Sequence, residues 1–179
     1  MVARKGSESR RTTVQKKSER EIVVTRTFDA PARLVFEAWS KPELFEKWWV
    51  PRSMGMTLRS CELDVRTGGK YRLVFGDDPA NPVAFFGKYL EVVPNKRIVW
   101  TNEESGGAGS VTTATFEERD GKTLVVVSDL YPTKEALDAA GTGAQEAMDE
   151  TFEQLDELLA AVSFFCLLLG RTPSSTQRR

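Results

Sequence analysis

Between Thr57 and Leu130 five turn signals cut the chain, at a spacing that suits an antiparallel meander. Gly68-Gly69 parts residues 57–65 from 70–75, the loop from Gly76 to Pro82 leads into 83–93, and Pro94-Asn95 precedes 96–102. Residues 103–109 form a Gly-containing loop, and Asp120-Gly121 closes a hairpin of 110–119 on 122–130. Gly, Asn and Asp accept the positive φ of tight turns, and Pro presets a turn's φ. Links this short join strands that run in opposite directions. Six strands are expected here.

The flanks complete the pattern. Glu21 to Phe28 alternates and is β-branched, which marks a first strand. Asp29 is the expected N-cap of a short helix with Pro31 in its first turn and Val35, Phe36 and Trp39 on one face. Ser40-Lys41-Pro42-Glu43 reads as a capping box opening a second short helix, whose face holds Leu44, Phe45, Trp48 and Trp49 before Pro51 stops it. At the far end Ala147, Met148, Thr151, Phe152, Leu155, Leu158, Leu159 and Val162 recur every three or four residues. A long helix is expected from about Thr142, boxed by Gln145, with one face buried. The class is α+β: a seven-stranded antiparallel sheet around a long C-terminal helix, with two short helices after strand one.

The 179 residues suffice for one core. Residues 1–20 hold seven Lys/Arg against Glu8 and Glu19, and residues 171–179 add three Arg with no acid, so the body between them is acidic. An acidic body disfavours nucleic acid as a partner of the folded domain. The expected organisation is a basic, disordered tail over 1–20, the domain over 21–161, and an apolar helix extension with a basic tail over 162–179. Leu158 to Leu169 is apolar except for Ser163 but too short for a membrane span, which takes about 20 residues. The extension should fold back onto the domain or bury itself in a second copy, forming a homodimer. Two distant cysteines and no apolar leader point to the cytoplasm.

The chain contains no histidine. That removes Ser-His-Asp and Cys-His nucleophilic systems and the commonest zinc and iron sites, so no metal or organic cofactor is expected. Gly106-Gly107-Ala108-Gly109 lacks the Lys-Ser/Thr ending of a phosphate loop, and Asp77, Asp78 and Asn81 are read as turn residues rather than cation ligands. Glu146, Asp149, Glu150, Glu153, Asp156 and Glu157 stripe the final helix, and no Lys or Arg lies between Lys134 and Arg171. The stripe is either a solvated face or a surface for a basic protein partner or for the chain's own basic N-terminal tail.

Ordered segments of the chain resemble one known family. They are Phe28-Asp29-Ala30-Pro31, Val35-Phe36 with Trp39, Leu44 through Lys47-Trp48-Trp49 to Pro51, Asp64 through Gly68-Gly69-Lys70-Tyr71, and Gly87 through Pro94-Asn95-Lys96-Arg97-Ile98. With the final helix they cover about residues 21–161 and resemble the START-like superfamily, in the branch related to the C-terminal domain of the activator of Hsp90 ATPase. The resemblance implies a helix-grip fold with a cavity between sheet and terminal helix. It implies no single function, since relatives include carriers, cyclases and a co-chaperone domain.

A hydrophobic ligand is expected in that cavity, surrounded by Trp39, Trp48, Trp49, Tyr71, Phe75, Trp100, Met148 and Phe152. The short helices carry more aromatic mass than two such elements need, and Tyr71, Leu73 and Phe75 share a strand face, as do Ile98 and Trp100. Glu62, Asp64, Arg66, Arg72 and Tyr89 are candidate polar anchors, and alternation alone does not decide which point inward. Three functions fit: a carrier or sensor of a small hydrophobic molecule, a co-chaperone-like interaction domain, or a cyclase-like or hydrolase-like enzyme using a cavity carboxylate, Arg or Tyr.

Overall fold

The computed structural model describes residues 12–169 apart from 77, 79, 105, 107, 108, 141 and 142. Eight strands form one antiparallel sheet: β1 (Thr13–Ser18), β2 (Glu21–Phe28), β3 (Leu58–Leu63), β4 (Lys70–Phe75), β5 (Val83–Val93), β6 (Arg97–Asn102), β7 (Ser110–Arg119) and β8 (Lys122–Leu130). Their order is β1-β2-β8-β7-β6-β5-β4-β3. The meander from β3 to β8 follows the turns, and Asn95, Asp120 and Gly121 take the positive φ that those turns require. The sheet stays open, with β1 and β3 at its edges, and the early strand joins the meander's last one: β2 pairs with β8 from Glu21↔Leu130 to Phe28↔Thr123.

The eighth strand corrects the expected seven and moves the domain's edge into the segment read as a disordered tail. Residues 13–18 pair with β2, with Val14 opposite Val24. Val14 packs partly against the core while the rest of β1 is exposed. A charged strand at a sheet edge is how proteins discourage further pairing, and that same charge makes it read as tail.

Among the described residues four helices accompany the sheet: α1 (Ala32–Ser40), α2 (Pro42–Phe45), α3 (Lys134–Ala140) and α4 (Gly143–Leu169). A 3₁₀ turn spans Arg52–Met54. The caps differ from expectation. Pro31 is the N-cap of α1, and the Ala32 N–H donates to Glu118 Oε2 on β7 at 2.8 Å, so a strand supplies the acid that the helix N-terminus favours. Ser40 is the last residue of α1 and not the head of a box, because Pro42 at the first helical position needs no donor partner. The proposed box at Thr142 lies outside the described residues. Helix α3 was not anticipated; Thr133 Oγ1 accepts from the Ala136 N–H at 3.1 Å, and Leu137 is its buried residue.

The long helix packs through Phe152, Leu155 and Leu159, all buried. Phe152 meets Phe28 of β2 edge-on at 5.4 Å between ring centroids, and Arg26 of β2 pairs with Asp156. α4 therefore covers the β2 side of the inner face. The chain from α1 to the 3₁₀ turn covers the rest: α1 lies over β7 and β8, with Phe36 and Trp39 against Phe116, and the chain beyond it reaches over β3 to β6.

Candidate functional site

The covering is incomplete, and a cavity of about 370 Å³ lies between the segment 39–56 and strands β3 to β6. From above it is walled by Trp39, Phe45, Trp49, Val50, Pro51, Met54 and Met56, and from the sheet by Leu63, Tyr71, Leu73, Phe75, Phe85, Tyr89, Ile98, Trp100 and Asn102. Period-two alternation sets the lower wall: Tyr71, Leu73 and Phe75 from β4, Phe85 and Tyr89 from β5, and Ile98, Trp100 and Asn102 from β6. Met54, Met56 and Phe85 are also exposed and form the rim. Such a wall suits a ligand with large apolar surface.

Five of the eight residues expected around a ligand line this cavity: Trp39, Trp49, Tyr71, Phe75 and Trp100. Trp48, Met148 and Phe152 do not. The expected location, against the terminal helix, is corrected accordingly, because aromatic rings fill the space between α4 and the cavity. Trp39 sits 5.0 Å from Trp48 and 6.4 Å from Phe152, centroid to centroid. Trp48 is fully buried, and its Nε1–H donates to the Ala38 carbonyl at 2.9 Å, fastening the turn that follows α2 to α1. Met148 is only partly buried against the core.

Gln154 on α4 ties the upper wall down. Its Nε2 donates to the carbonyls of Trp48 at 2.9 Å and Val50 at 2.8 Å, and its Oε1 accepts from the Arg52 N–H at 2.9 Å. Beside it Glu150 accepts from the Ser53 N–H at 2.9 Å and from the Ser53 hydroxyl, and Glu157 pairs with Arg52 at 2.8 Å. The helix does not line the cavity; it holds the segment that does.

Apart from the tryptophan indoles, the polar side chains of the wall are Tyr71, Tyr89 and Asn102. Tyr71 Oη donates to Thr101 O at 3.1 Å and Asn102 Oδ1 at 3.0 Å; Asn102 Nδ2 donates to Ser110 Oγ at 3.0 Å and Thr112 Oγ1 at 2.9 Å; Thr112 Oγ1 donates to Asp129 Oδ1 at 2.5 Å. Donors thus point one way, from the cavity to a carboxyl on β8. Burial pushes the Asp129 carboxyl above the usual carboxylate range, against the opposing hydrogen bond from Thr112. Burial likewise pushes both tyrosine hydroxyls up, so they stay protonated across the physiological range.

Of the candidate anchors only Tyr89 faces inward. Glu62 and Arg72 are exposed partners across β3 and β4, and Asp64 pairs with Arg66 at 3.0 Å. Asn102 was missed although it continues the Ile98, Trp100 series; Met54 and Met56 lie past the Pro51 stop, where no periodicity marks them. Asp77 lies outside the described residues, and Asp78 accepts from the Ala80 N–H at 2.9 Å and from Asn81 Nδ2 at 2.8 Å, as a turn residue does.

No curated protein matches the chain. Solved structures do. A protein from Rhodobacter sphaeroides superposes with a TM-score of 0.74 at 23% identity, over 84% of this chain and 98% of the other. One from Nitrosomonas europaea gives 0.72 at 25%, over 83% and 99%. An AHSA1-like protein from Aeromonas hydrophila gives 0.60 at 15%, over 87% and 99%. These likenesses support the helix-grip fold. Among the described residues no helix is long and apolar enough to cross a membrane. A family model matches residues 29–160, from the first helix entry through the cavity to the end of the buried face of α4, and the chain belongs to the Activator of Hsp90 ATPase homolog 1-like protein family, within the START-like superfamily.

Proposed function

We propose that this protein is a cytoplasmic carrier or sensor that binds a small hydrophobic molecule in the cavity beneath α1, α2 and the 3₁₀ turn. The observation that carries the reading is the cavity itself: about 370 Å³ with an aromatic and aliphatic wall and an exposed rim of Met54, Met56 and Phe85. A ligand that hides about 200 Å² of apolar surface gains roughly 5 kcal/mol at about 25 cal/mol per Å². Association costs about 4 kcal/mol or more, so burial alone gives weak binding and a polar contact must add the rest.

The other two readings have less behind them. An enzyme of cyclase or hydrolase type needs a reactive side chain at the cavity, and the wall offers two high-pKa tyrosines and an amide. A basic partner at the acidic helix must compete with the chain's own cations. Arg26 faces both Asp149 and Asp156, and Arg52 faces Glu157.

The test is a titration of tryptophan emission with neutral bicyclic aromatic compounds. Three of the four tryptophans line the cavity, so a saturable shift is expected, and Trp49→Ala should weaken it. Emission of folded protein that stays unmoved across a broad hydrophobic library overturns the proposal. Native mass spectrometry of freshly purified protein gives an independent reading of any bound mass.

A further inference from the structure

Two tyrosines share the inner face of β4 and β5, their ring centroids 5.8 Å apart, and their hydroxyls are used differently. Tyr71 Oη donates to Thr101 O and Asn102 Oδ1, so its proton is committed within the protein. Tyr89 Oη has no hydrogen-bond partner among the described residues. It is not sealed in either. Among those residues the polar side-chain atoms that lack both a partner and accessible surface are Arg26 Nε and Trp39 Nε1; Tyr89 Oη lacks the partner and keeps the surface. Tyr89 as a whole is only 6% exposed and lines the cavity, so the surface left to it is turned to the cavity and its mouth.

A hydroxyl proton swings about its C–O bond and can meet an acceptor from any open direction. Burial, with Cys61 and Asp64 close enough to add to it, keeps this phenol protonated and therefore a donor. A few such groups in an apolar wall are what orient a ligand.

The surroundings restrict the ligand's charge. No Lys, Arg, Asp or Glu is among the described residues of the wall, so an ionised group would lose its hydration there and find no counter-ion. Asp64, whose charge is felt at Tyr89, repels an anion. At interior packing density the volume holds a molecule of about 15 non-hydrogen atoms.

We infer that Tyr89 is the polar anchor of the cavity, its hydroxyl donating to an acceptor oxygen, such as a ketone, lactone or quinone carbonyl, of a neutral, largely apolar ligand of this size. The inference rests on the cavity-binding reading above and names the ligand class and the residue that selects it.

Because the hydroxyl makes no bond within the protein, Tyr89→Phe removes it without stranding a partner, and the variant should unfold at the wild-type urea midpoint. Three naphthalenes of one shape then test the anchor: 2-acetylnaphthalene carries a neutral acceptor, 2-isopropenylnaphthalene replaces the oxygen by carbon, and 2-naphthoate is an anion at neutral pH. Wild type should bind the acetyl compound about fivefold more tightly than its carbon analogue, the worth of one ordinary hydrogen bond. Tyr89→Phe should erase that preference by weakening the acetyl compound alone, and the naphthoate should bind most weakly to both proteins. The infrared carbonyl stretch of bound 2-acetylnaphthalene should lie lower in wild type than in Tyr89→Phe, a difference that a merely structural role for the residue would not produce. The comparison of the three compounds on wild type stands whether or not the variant folds. Equal binding of the acetyl and isopropenyl compounds by wild type, tighter binding of the anion, or a variant that keeps both the preference and the carbonyl frequency overturns the anchor while leaving the cavity as a binding site. Failure of all three to bind wild type removes both.

Discussion

Gln154, buried on α4, donates its side-chain amide to the backbone carbonyl of Trp48, 106 residues away in sequence, at 2.9 Å. The same side chain serves Val50 O and the Arg52 N–H, so one amide satisfies three backbone groups of the cavity's upper wall. Gln154→Ala strands these groups and should cost about 2–3 kcal/mol, since each unsatisfied buried group costs about 1–3 kcal/mol and water reaches some of them. The loss should be local as well as global. Amide hydrogen exchange at Arg52 should quicken more than exchange in β7 and β8, and equal quickening everywhere would deny Gln154 a specific hold on this segment.

Asp129 makes stability depend on pH in the sense opposite to a salt-bridged carboxylate. Its folded pKa is raised by burial above the unfolded value, so the folded state binds the proton more tightly. Stability from this group is greatest below the ordinary carboxylate pKa and declines as pH rises through the interval up to the folded pKa. Thr112 donates to the carboxyl, and Tyr131 lies near enough to sense its charge. Urea unfolding of wild type and Asp129→Asn should therefore give similar free energies near pH 3 and diverge in favour of Asn toward pH 7. A gap that is widest at low pH would reverse the assignment.

Much of this architecture was legible because its signals are local. The turn residues bounded every strand of the meander, and the three-four periodicity of Met148 to Val162 fixed the long helix. The cavity was legible by half. Tyr71, Phe75 and Trp100 follow from alternation, which assigns a sheet face from sequence alone. Trp39, Trp48 and Trp49 carry no such label, since on short helices the side chain that plugs the core and the one that faces a void differ only in tertiary packing. Trp48 became a plug because Ala38 O lies within reach of its N–H. The capping failures share that cause: Glu118, 86 residues from Ala32, did the work assigned to Asp29.

Gly87 allows β5 and β6 to sit under Tyr71. A Cβ there would collide with the Thr101 carbonyl oxygen and stand 2.9 Å from Tyr71 Cε1. Gly87→Ala should therefore destabilise by about 1–3 kcal/mol, the usual cost of overpacking, and loosen the Tyr71 hydrogen bonds to Thr101 and Asn102. Urea unfolding reads the first effect. Faster exchange of the Tyr71 ring environment, seen as altered aromatic resonances, reads the second, and a variant as stable as wild type would show that the strands can part at no cost.

The last turns of α4 run past the buried face: Val162 still packs partly against the core, and beyond it Phe164 and Phe165 face away from the domain. Phe164 is 65% and Phe165 61% exposed, whereas Leu159, one to two turns earlier, is buried. Two adjacent exposed phenylalanines at the end of a helix form an apolar surface that water does not favour. Self-association through this end would cover it, and on that expectation the helix pairs with that of a second copy. Sedimentation velocity across a concentration series should show a dimer for the full chain and a monomer for a chain ending at Ala161 or carrying Phe164→Ser with Phe165→Ser. The cavity is remote in sequence from these positions, so ligand-induced tryptophan shifts should survive both changes. A full chain that stays monomeric at every concentration would leave the extension without this role.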